Sequence, residues 1–141
     1  MVLKLRKTDV KVTNWERYYP FITEAEAKCK CGCGAAYVSK RFADKLLKGR
    51  HLSSVPYRFS SFCRCPDHNA EVGGKNDSAH ISTPSNLTEA ADITYHNNNE
   101  LFIIVRSLIY AGFTRIGINH KRKFVHVDND EDKPQRVLFN Y

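Results

Sequence analysis

The chain has 141 residues, a formal net charge of +7 and a hydrophobic fraction of 42%, and 26% of its residues are charged. This length and balance are typical of one folded domain with a single core, and they exclude a disordered chain. No apolar run approaches the ~20 residues of a membrane-spanning helix, which excludes that class as well. We therefore expect residues 1–141 to form a single domain.

The N-terminal segment, residues 1–35, is predicted to be irregular and to pack on the rest of the domain. Gly32 and Gly34 mark a stretch that is rich in turns. Residues 1–7 are basic and lack the apolar stretch of a secretory signal. We expect the protein to be made in the cytoplasm without a signal peptide.

The remaining elements are helices and strands in mixed order. The hydrophobic pattern predicts a helix over residues 40–49, a strand over 55–59, a helix over 66–72, a strand over 90–94, a helix over 99–111, and strands over 114–118 and 124–128. Ser39 and Pro66 suit the starts of the first two helices, and Gly112 suits the end of the third. Pro56 restricts the first strand to a sheet edge. This order predicts an α+β fold, with a small antiparallel sheet and flanking helices.

Five cysteines fall into two clusters, Cys29, Cys31 and Cys33 in the first and Cys63 and Cys65 in the second. An odd count in a chain without an export signal argues against a complete disulfide framework. The Cys-x-Cys steps are tighter than the Cys-x2-Cys spacing of common zinc sites. Reduced packing cysteines, a structural metal and a disulfide all stay open.

The positive charge is compatible with simple solubility, with a nucleic-acid partner, or with the anionic polymers of a bacterial cell wall. The lysine and arginine residues are scattered along the chain, and a run of three basic residues occurs at 121–123. No DNA- or RNA-binding motif accompanies them. We therefore do not expect a nucleic acid as partner.

Three polar residues, His80, Asp92 and His126, occupy positions that suggest a site. Asp92 interrupts an apolar run, and a buried carboxylate must be paired or bound to a metal. His126 shares one face of its strand with Asp128, while their β-branched neighbours point to the other face. Two imidazoles and one carboxylate suit a catalytic zinc, which takes three protein ligands. Hydrogen-bonded structural side chains are the alternative.

An ordered series of motifs across residues 21–128 resembles the zinc D-Ala-D-Ala carboxypeptidase and L-alanyl-D-glutamate endopeptidase family, in its phage endolysin-like branch. The motifs are Phe-Ile-Thr-Glu-Ala-Glu at 21–26, Cys-Lys-Cys-Gly-Cys-Gly at 29–34, Phe-Cys-Arg-Cys-Pro-Asp-His-Asn at 62–69, Val-Gly-Gly at 72–74, Ser-Ala-His at 78–80, Ala-Ala-Asp-Ile at 90–93, Gly-Phe at 112–113, Ile-Gly at 116–117 and Phe-Val-His-Val-Asp at 124–128. The resemblance implies a hedgehog-like and D-Ala-D-Ala-peptidase-like fold. It also implies a zinc metallopeptidase that hydrolyses the stem peptides of peptidoglycan.

The resemblance also implies roles for individual residues. The positions that match the family's zinc ligands are His80, Asp92 and His126. Arg64 matches an arginine that holds the substrate near the metal and stabilises the developing negative charge. Ser78 matches a serine that contacts the substrate or a ligand.

Three departures from the family pattern bear on mechanism and specificity. Eleven residues, 81–91, separate His80 from Asp92, which is more than is usual in the family, and the extra length is predicted to form a surface loop beside the metal. Lys123 stands where many relatives carry an acid that serves as general base. Asp128 or His120 is then the predicted proton acceptor, with Asp128 slightly favoured, although Asp128 could instead orient a ligand.

The third departure is the acidic run at residues 129–132, which follows the last motif and is predicted to be a solvated turn. By the resemblance, we expect a monomer that acts on peptidoglycan after release from the cytoplasm, as an endolysin does in host-cell lysis. One alternative is an inactive module on the same fold that binds cell wall or a protein, which Lys123 favours. The other is a basic, cysteine-rich nucleic-acid-binding protein with a structural metal.

Overall fold

The computed structural model describes residues 10–141, so the basic run at residues 1–7 lies outside the described residues. Along the chain, its elements are a 3-10 turn at Trp15–Arg17, α1 (Glu24–Ala27), α2 (Lys40–His51), β1 (Phe59–Ser61), α3 (Pro66–Glu71), β2 (Ala90–Thr94), α4 (Asn98–Ala111), β3 (Arg115–Asn119), β4 (Phe124–Asp128) and β5 (Val137–Asn140). The five strands form one sheet in the order β1-β2-β4-β3-β5. The predicted α+β class is confirmed.

The sheet is antiparallel at three of its four strand pairs, and β3 pairs with β5 in parallel. One face of the sheet is apolar and lies against the helices, because alternate residues of β2 and β4 point into the core. Ile93 and Val125 are both fully buried there. The opposite face therefore carries the polar side chains of the same strands.

Helices α2 and α4 pack on each other and close the core. Phe42 and Leu46 from α2 and Ile104 and Leu108 from α4 have no exposed surface. The two helices approach closely at Gly49, where a Cβ would lie 3.5 Å from Ala111 Cβ and 3.6 Å from Leu108 Cδ2 of α4. Across residues 10–141, no helix combines the length and apolar character that a membrane crossing needs.

Most of the predicted elements are present within one or two residues of their predicted ends. Gly112 ends α4 in the left-handed conformation, with φ of 104°, as its sequence position predicted. The prediction of a strand at residues 55–59 was wrong, because β1 begins at Phe59 and runs to Ser61. Pro56 has no N–H for a sheet, and the paired segment starts beyond it.

Two further expectations need correction. Ser39 is the N-cap residue of α2, but its hydroxyl makes no capping hydrogen bond and has no partner. The segment before residue 35 is not wholly irregular, since it contains α1, whose first turn is capped by Thr23. The Thr23 hydroxyl accepts from the Glu26 N–H and donates to the Glu26 carboxylate. β5 was not predicted at all.

Candidate metal centre

Strand pairing brings Asp92 and His126 together on the polar face of the sheet. Asp92 of β2 lies directly opposite His126 of β4, and His126 lies opposite Gly117 of β3. Side chains of directly paired residues point to the same face, so the carboxylate and the imidazole meet. The Asp92 Oδ1 to His126 Nδ1 distance is 2.9 Å.

His80 reaches the same point from the loop that follows α3. Its backbone carbonyl accepts a hydrogen bond from the Arg64 N–H, and its Nδ1 lies 2.7 Å from the carbonyl oxygen of Phe62. This anchoring turns His80 Nε2 towards Asp92, where it lies 3.2 Å from Oδ1. All three side chains of the predicted ligand set are buried, and their donor atoms lie within 4.8 Å of one another.

The hydrogen-bond partners of the two rings determine which nitrogen atoms carry protons. A carbonyl oxygen only accepts, so His80 Nδ1 carries the proton and the neutral ring presents a lone pair at Nε2. In the same way, the Asp128 carboxylate accepts from His126 Nε2 at 2.6 Å, which leaves a lone pair at His126 Nδ1. Both lone pairs face Oδ1 of Asp92. Three converging lone pairs repel one another unless a cation lies among them, so the donor set fits a zinc ion.

The surroundings of the two histidine rings shift their pKa values in opposite directions. Burial lowers the pKa of His80, which favours the neutral ring that a metal requires. Burial would also lower the pKa of His126, but hydrogen bonds to Asp128 and Asp92 outweigh it and raise that pKa to about 9. Without a metal ion, a proton on His126 therefore occupies the region where the lone pairs meet.

Asp128 is held tightly beside His126. Its Oδ2 accepts from His126, and its Oδ1 accepts from Arg115 Nε at 2.9 Å and from the Asp130 N–H at 2.9 Å. Burial alone would raise the pKa of Asp128, but the hydrogen bond and charge of His126, the Asp130 N–H and the charge of Arg115 together lower that pKa. The structure thus places Asp128 where it can orient a metal ligand, one of the two roles that its sequence position predicted.

The structure does not bring His120 to the site. This residue lies exposed in the turn between β3 and β4, and its side chain does not line the cleft described below. The geometry therefore gives no support to His120 as proton acceptor.

Arg64 and Ser78 lie next to each other at the rim of the metal site. An Arg64 Nη lies 3.3 Å from the Ser78 hydroxyl, which also accepts from the His80 N–H. Burial lowers the pKa of the Arg64 guanidinium, and its Nε has no hydrogen-bond partner. A half-buried guanidinium that lines a cleft is well suited to bind an anionic or carbonyl oxygen.

The metal site lies at the base of an open cleft of about 570 Å³. Six basic and two acidic side chains line it, namely Lys30, Arg64, Lys75, Arg115, Arg122 and Lys133, with Asp92 and Asp128. Both carboxylates are already engaged by histidine or arginine, so the remaining field favours an anionic ligand. The long loop at residues 81–89 does not line this cleft; Thr83 and Asn86 close it into a tight turn elsewhere.

A family model described as peptidase M15 matches residues 19–128. The chain belongs to the peptidase M15 family. M15 peptidases are zinc-dependent metallopeptidases, and the matched range contains all three residues of the predicted ligand set. Comparisons with curated proteins and with solved structures found no match.

Two contributions to this M15 site were not predicted from the sequence. Arg115 is buried and links Asp128 to the Pro134 carbonyl oxygen, but a single arginine at a strand start has no distinctive pattern. Phe139 of β5 packs against His126, with ring centroids 6.0 Å apart, and lies over Gly117. Gly117 was the available signal, because a glycine inside a strand often marks a close approach by another group.

Proposed function

We propose that this M15 peptidase hydrolyses peptide bonds in the stem peptides of bacterial peptidoglycan, and that it acts on the wall after release from the cytoplasm in the manner of an endolysin. The observation that carries the proposal is the convergence of His80, Asp92 and His126 at the base of an open cleft. A buried structural zinc site would be closed, whereas a catalytic one keeps a position open to the substrate.

The zinc ion, when bound, supplies Lewis-acid chemistry and activates water for attack on the scissile carbonyl. The chain supplies the rest. Arg64, which lines the cleft, binds the carbonyl or a neighbouring carboxylate of the substrate through its guanidinium group, and Ser78 accepts a hydrogen bond that holds the Arg64 side chain in place. Asp128 keeps His126 in the tautomer that presents Nδ1, and Arg115 keeps Asp128 ionised.

The cleft charges support an anionic peptide as substrate. Stem peptides carry free carboxylates, and the six basic side chains around the cleft attract them. Lys30 and Lys75 lie at the cleft edge and are exposed, so they can contact a carboxylate without loss of their own hydration. These contacts support a wall peptide over a neutral or cationic one.

The test is digestion of purified peptidoglycan followed by mass spectrometry of the released muropeptides. The wild-type protein is expected to release new peptide termini, to lose this activity with a chelator and to regain it with zinc. His80→Ala and His126→Ala should each reduce the rate by at least about a hundredfold, because each leaves the metal two protein ligands. Circular dichroism of both variants controls for folding.

Two results would contradict the proposal. Full activity of His126→Ala would remove the ligand assignment. Zinc-bound wild-type protein that sediments with cell walls without producing any new peptide terminus would instead establish the binding module, which is the second candidate because Lys123 stands where relatives carry an acid.

A further inference from the structure

Four of the five cysteines meet at one point outside the cleft. Cys31 Sγ lies 3.4 Å from Cys29 Sγ and 3.6 Å from Cys65 Sγ, and with Cys33 all four sulfur atoms lie within 4.8 Å of one another. Cys63, by contrast, is fully buried in the core. The chain brings these four together from two segments that lie more than thirty residues apart in sequence.

The sulfur separations suit a tetrahedral metal site. Zinc binds thiolates at about 2.3 Å, which places the sulfur atoms of a tetrahedron about 3.8 Å apart. The two measured separations, 3.4 and 3.6 Å, are close to that value. These separations are far longer than the bond of about 2.05 Å that a disulfide needs, whereas one metal ion among the sulfur atoms can bind all four.

The backbone around the cluster is shaped to support thiolates. Gly32 and Gly34 have φ of 88° and 85°, which lets the chain turn after each of two successive cysteines. The Cys65 N–H donates to Cys29 Sγ, and the His68 N–H donates to Cys65 Sγ, each at 3.4 Å. Hydrogen bonds from backbone N–H groups stabilise negative charge on sulfur.

We propose that Cys29, Cys31, Cys33 and Cys65 bind a structural zinc ion, separate from the histidine site. The Cys-x-Cys steps are tighter than the common zinc spacings. They supply three of the four ligands, and the fourth, Cys65, comes from the start of α3. Exposed Lys28 and Lys30 flank the first cysteine and offset part of the net negative charge of a zinc ion with four thiolates.

This second zinc site connects the N-terminal segment to the floor of the cleft. Cys65 directly follows Arg64, and the Cys63 N–H donates to the Ala27 carbonyl, so the same segment is tied on both sides of the arginine. Lys30, inside the cysteine motif, lines the cleft. The proposed ion therefore holds both basic residues in place while it takes no part in hydrolysis.

The test counts zinc by elemental mass spectrometry in protein purified with zinc under reducing conditions. We expect two zinc ions per wild-type chain, and one in the double variant Cys31→Ser/Cys33→Ser. Cys63→Ala is the matched control, since it removes a cysteine outside the cluster and should keep two. His80→Ala/His126→Ala should keep one, so loss of the histidine site and loss of the cysteine site are read separately.

Cobalt substitution identifies the ligands directly. Thiolate-to-cobalt charge-transfer absorption is expected in the wild type and in the histidine variant, and it should be absent from the double cysteine variant. Alkylation of the wild type tests the proposal even if the double cysteine variant fails to fold. Cys31 and Cys33 are exposed, but bound zinc should protect them, so they should react only after chelation. Equal zinc content in the wild type and the double cysteine variant, rapid alkylation of both thiols, or an intact mass that shows a disulfide would each overturn the proposal.

Discussion

At the residue scale, the site depends on which nitrogen atom of each histidine faces the metal. The Phe62 carbonyl oxygen accepts from His80 Nδ1–H, and the Asp128 carboxylate accepts from His126 Nε2–H. Each neutral ring therefore has one free lone pair, on its other nitrogen atom. Both lone pairs point to the same carboxylate oxygen. Asp128 is therefore as much a part of the metal site as the ligands, although it does not belong to the ligand set.

Replacing Asp128 with Asn tests this positioning role. The neutral amide holds the His126 Nε2–H more weakly and loses its ion pair with Arg115, so zinc affinity should fall about 10- to 100-fold. Competition with a chromophoric chelator measures that affinity. Asp132→Asn is the control, because it removes the same charge at an exposed position. Unchanged zinc affinity together with a lower kcat would show that Asp128 instead accepts the proton.

At the element scale, the pairing of β3, β4 and β5 builds one wall of the cleft. Gly117, directly opposite His126, has no side chain, and the Phe139 ring of β5 fills the space above it. Phe139 and Tyr141 then pack near the His126 ring, with centroids 6.0 and 6.4 Å away. The glycine thus allows a C-terminal strand to cover the His126 ring of the candidate metal site.

The substitution Gly117→Ala should displace Phe139, because the new Cβ would lie far inside van der Waals contact with the ring. Overpacking of this kind costs about 1–3 kcal/mol of unfolding free energy, which urea denaturation measures. The double variant Gly117→Ala/Phe139→Ala removes the clash. In a double-mutant cycle, the double variant should lose less free energy of unfolding than the two single variants lose together. Strict additivity would mean that the ring does not rest on Gly117.

At the scale of the whole molecule, the net charge of +7 is informative because of where the basic residues lie. Basic side chains surround the cleft, while the two acidic groups there are neutralised by their partners. Such a field raises the local concentration of anionic substrates and weakens as salt screens it. Part of the positive charge, which composition alone could ascribe to solubility, therefore lies where it would attract an anionic substrate.

A charge reversal inside and outside the cleft separates these two effects. Lys75→Glu changes a lysine of the cleft, and Lys48→Glu makes the same change in net charge on α2, away from it. We expect KM for an anionic muropeptide to rise several-fold in Lys75→Glu at low salt, and the difference to shrink at high salt. Equal effects of the two variants would show that net charge alone matters.

The sequence by itself predicted the local elements and the identity of the ligand set. Periodicity located α2 and α4, and the alternation in β4 placed His126 and Asp128 on one face, because both signals depend on neighbours within a few residues. The ordered motifs named His80 and Asp92 through resemblance to relatives. β5 was missed although Val137, Leu138 and Phe139 are apolar, because so short an apolar run does not identify a strand by periodicity alone.

Only the tertiary structure decided how these residues act together. Strand register sets Asp92 opposite His126, and this pairing depends on hydrogen bonds between segments thirty-four residues apart in the chain. The same is true of Arg115 on Asp128, of Phe139 on Gly117, and of Cys65 among the other cysteines. A residue type and its local pattern indicate what a side chain can bind. Which partners reach it is settled by long-range packing, which no short stretch of sequence contains.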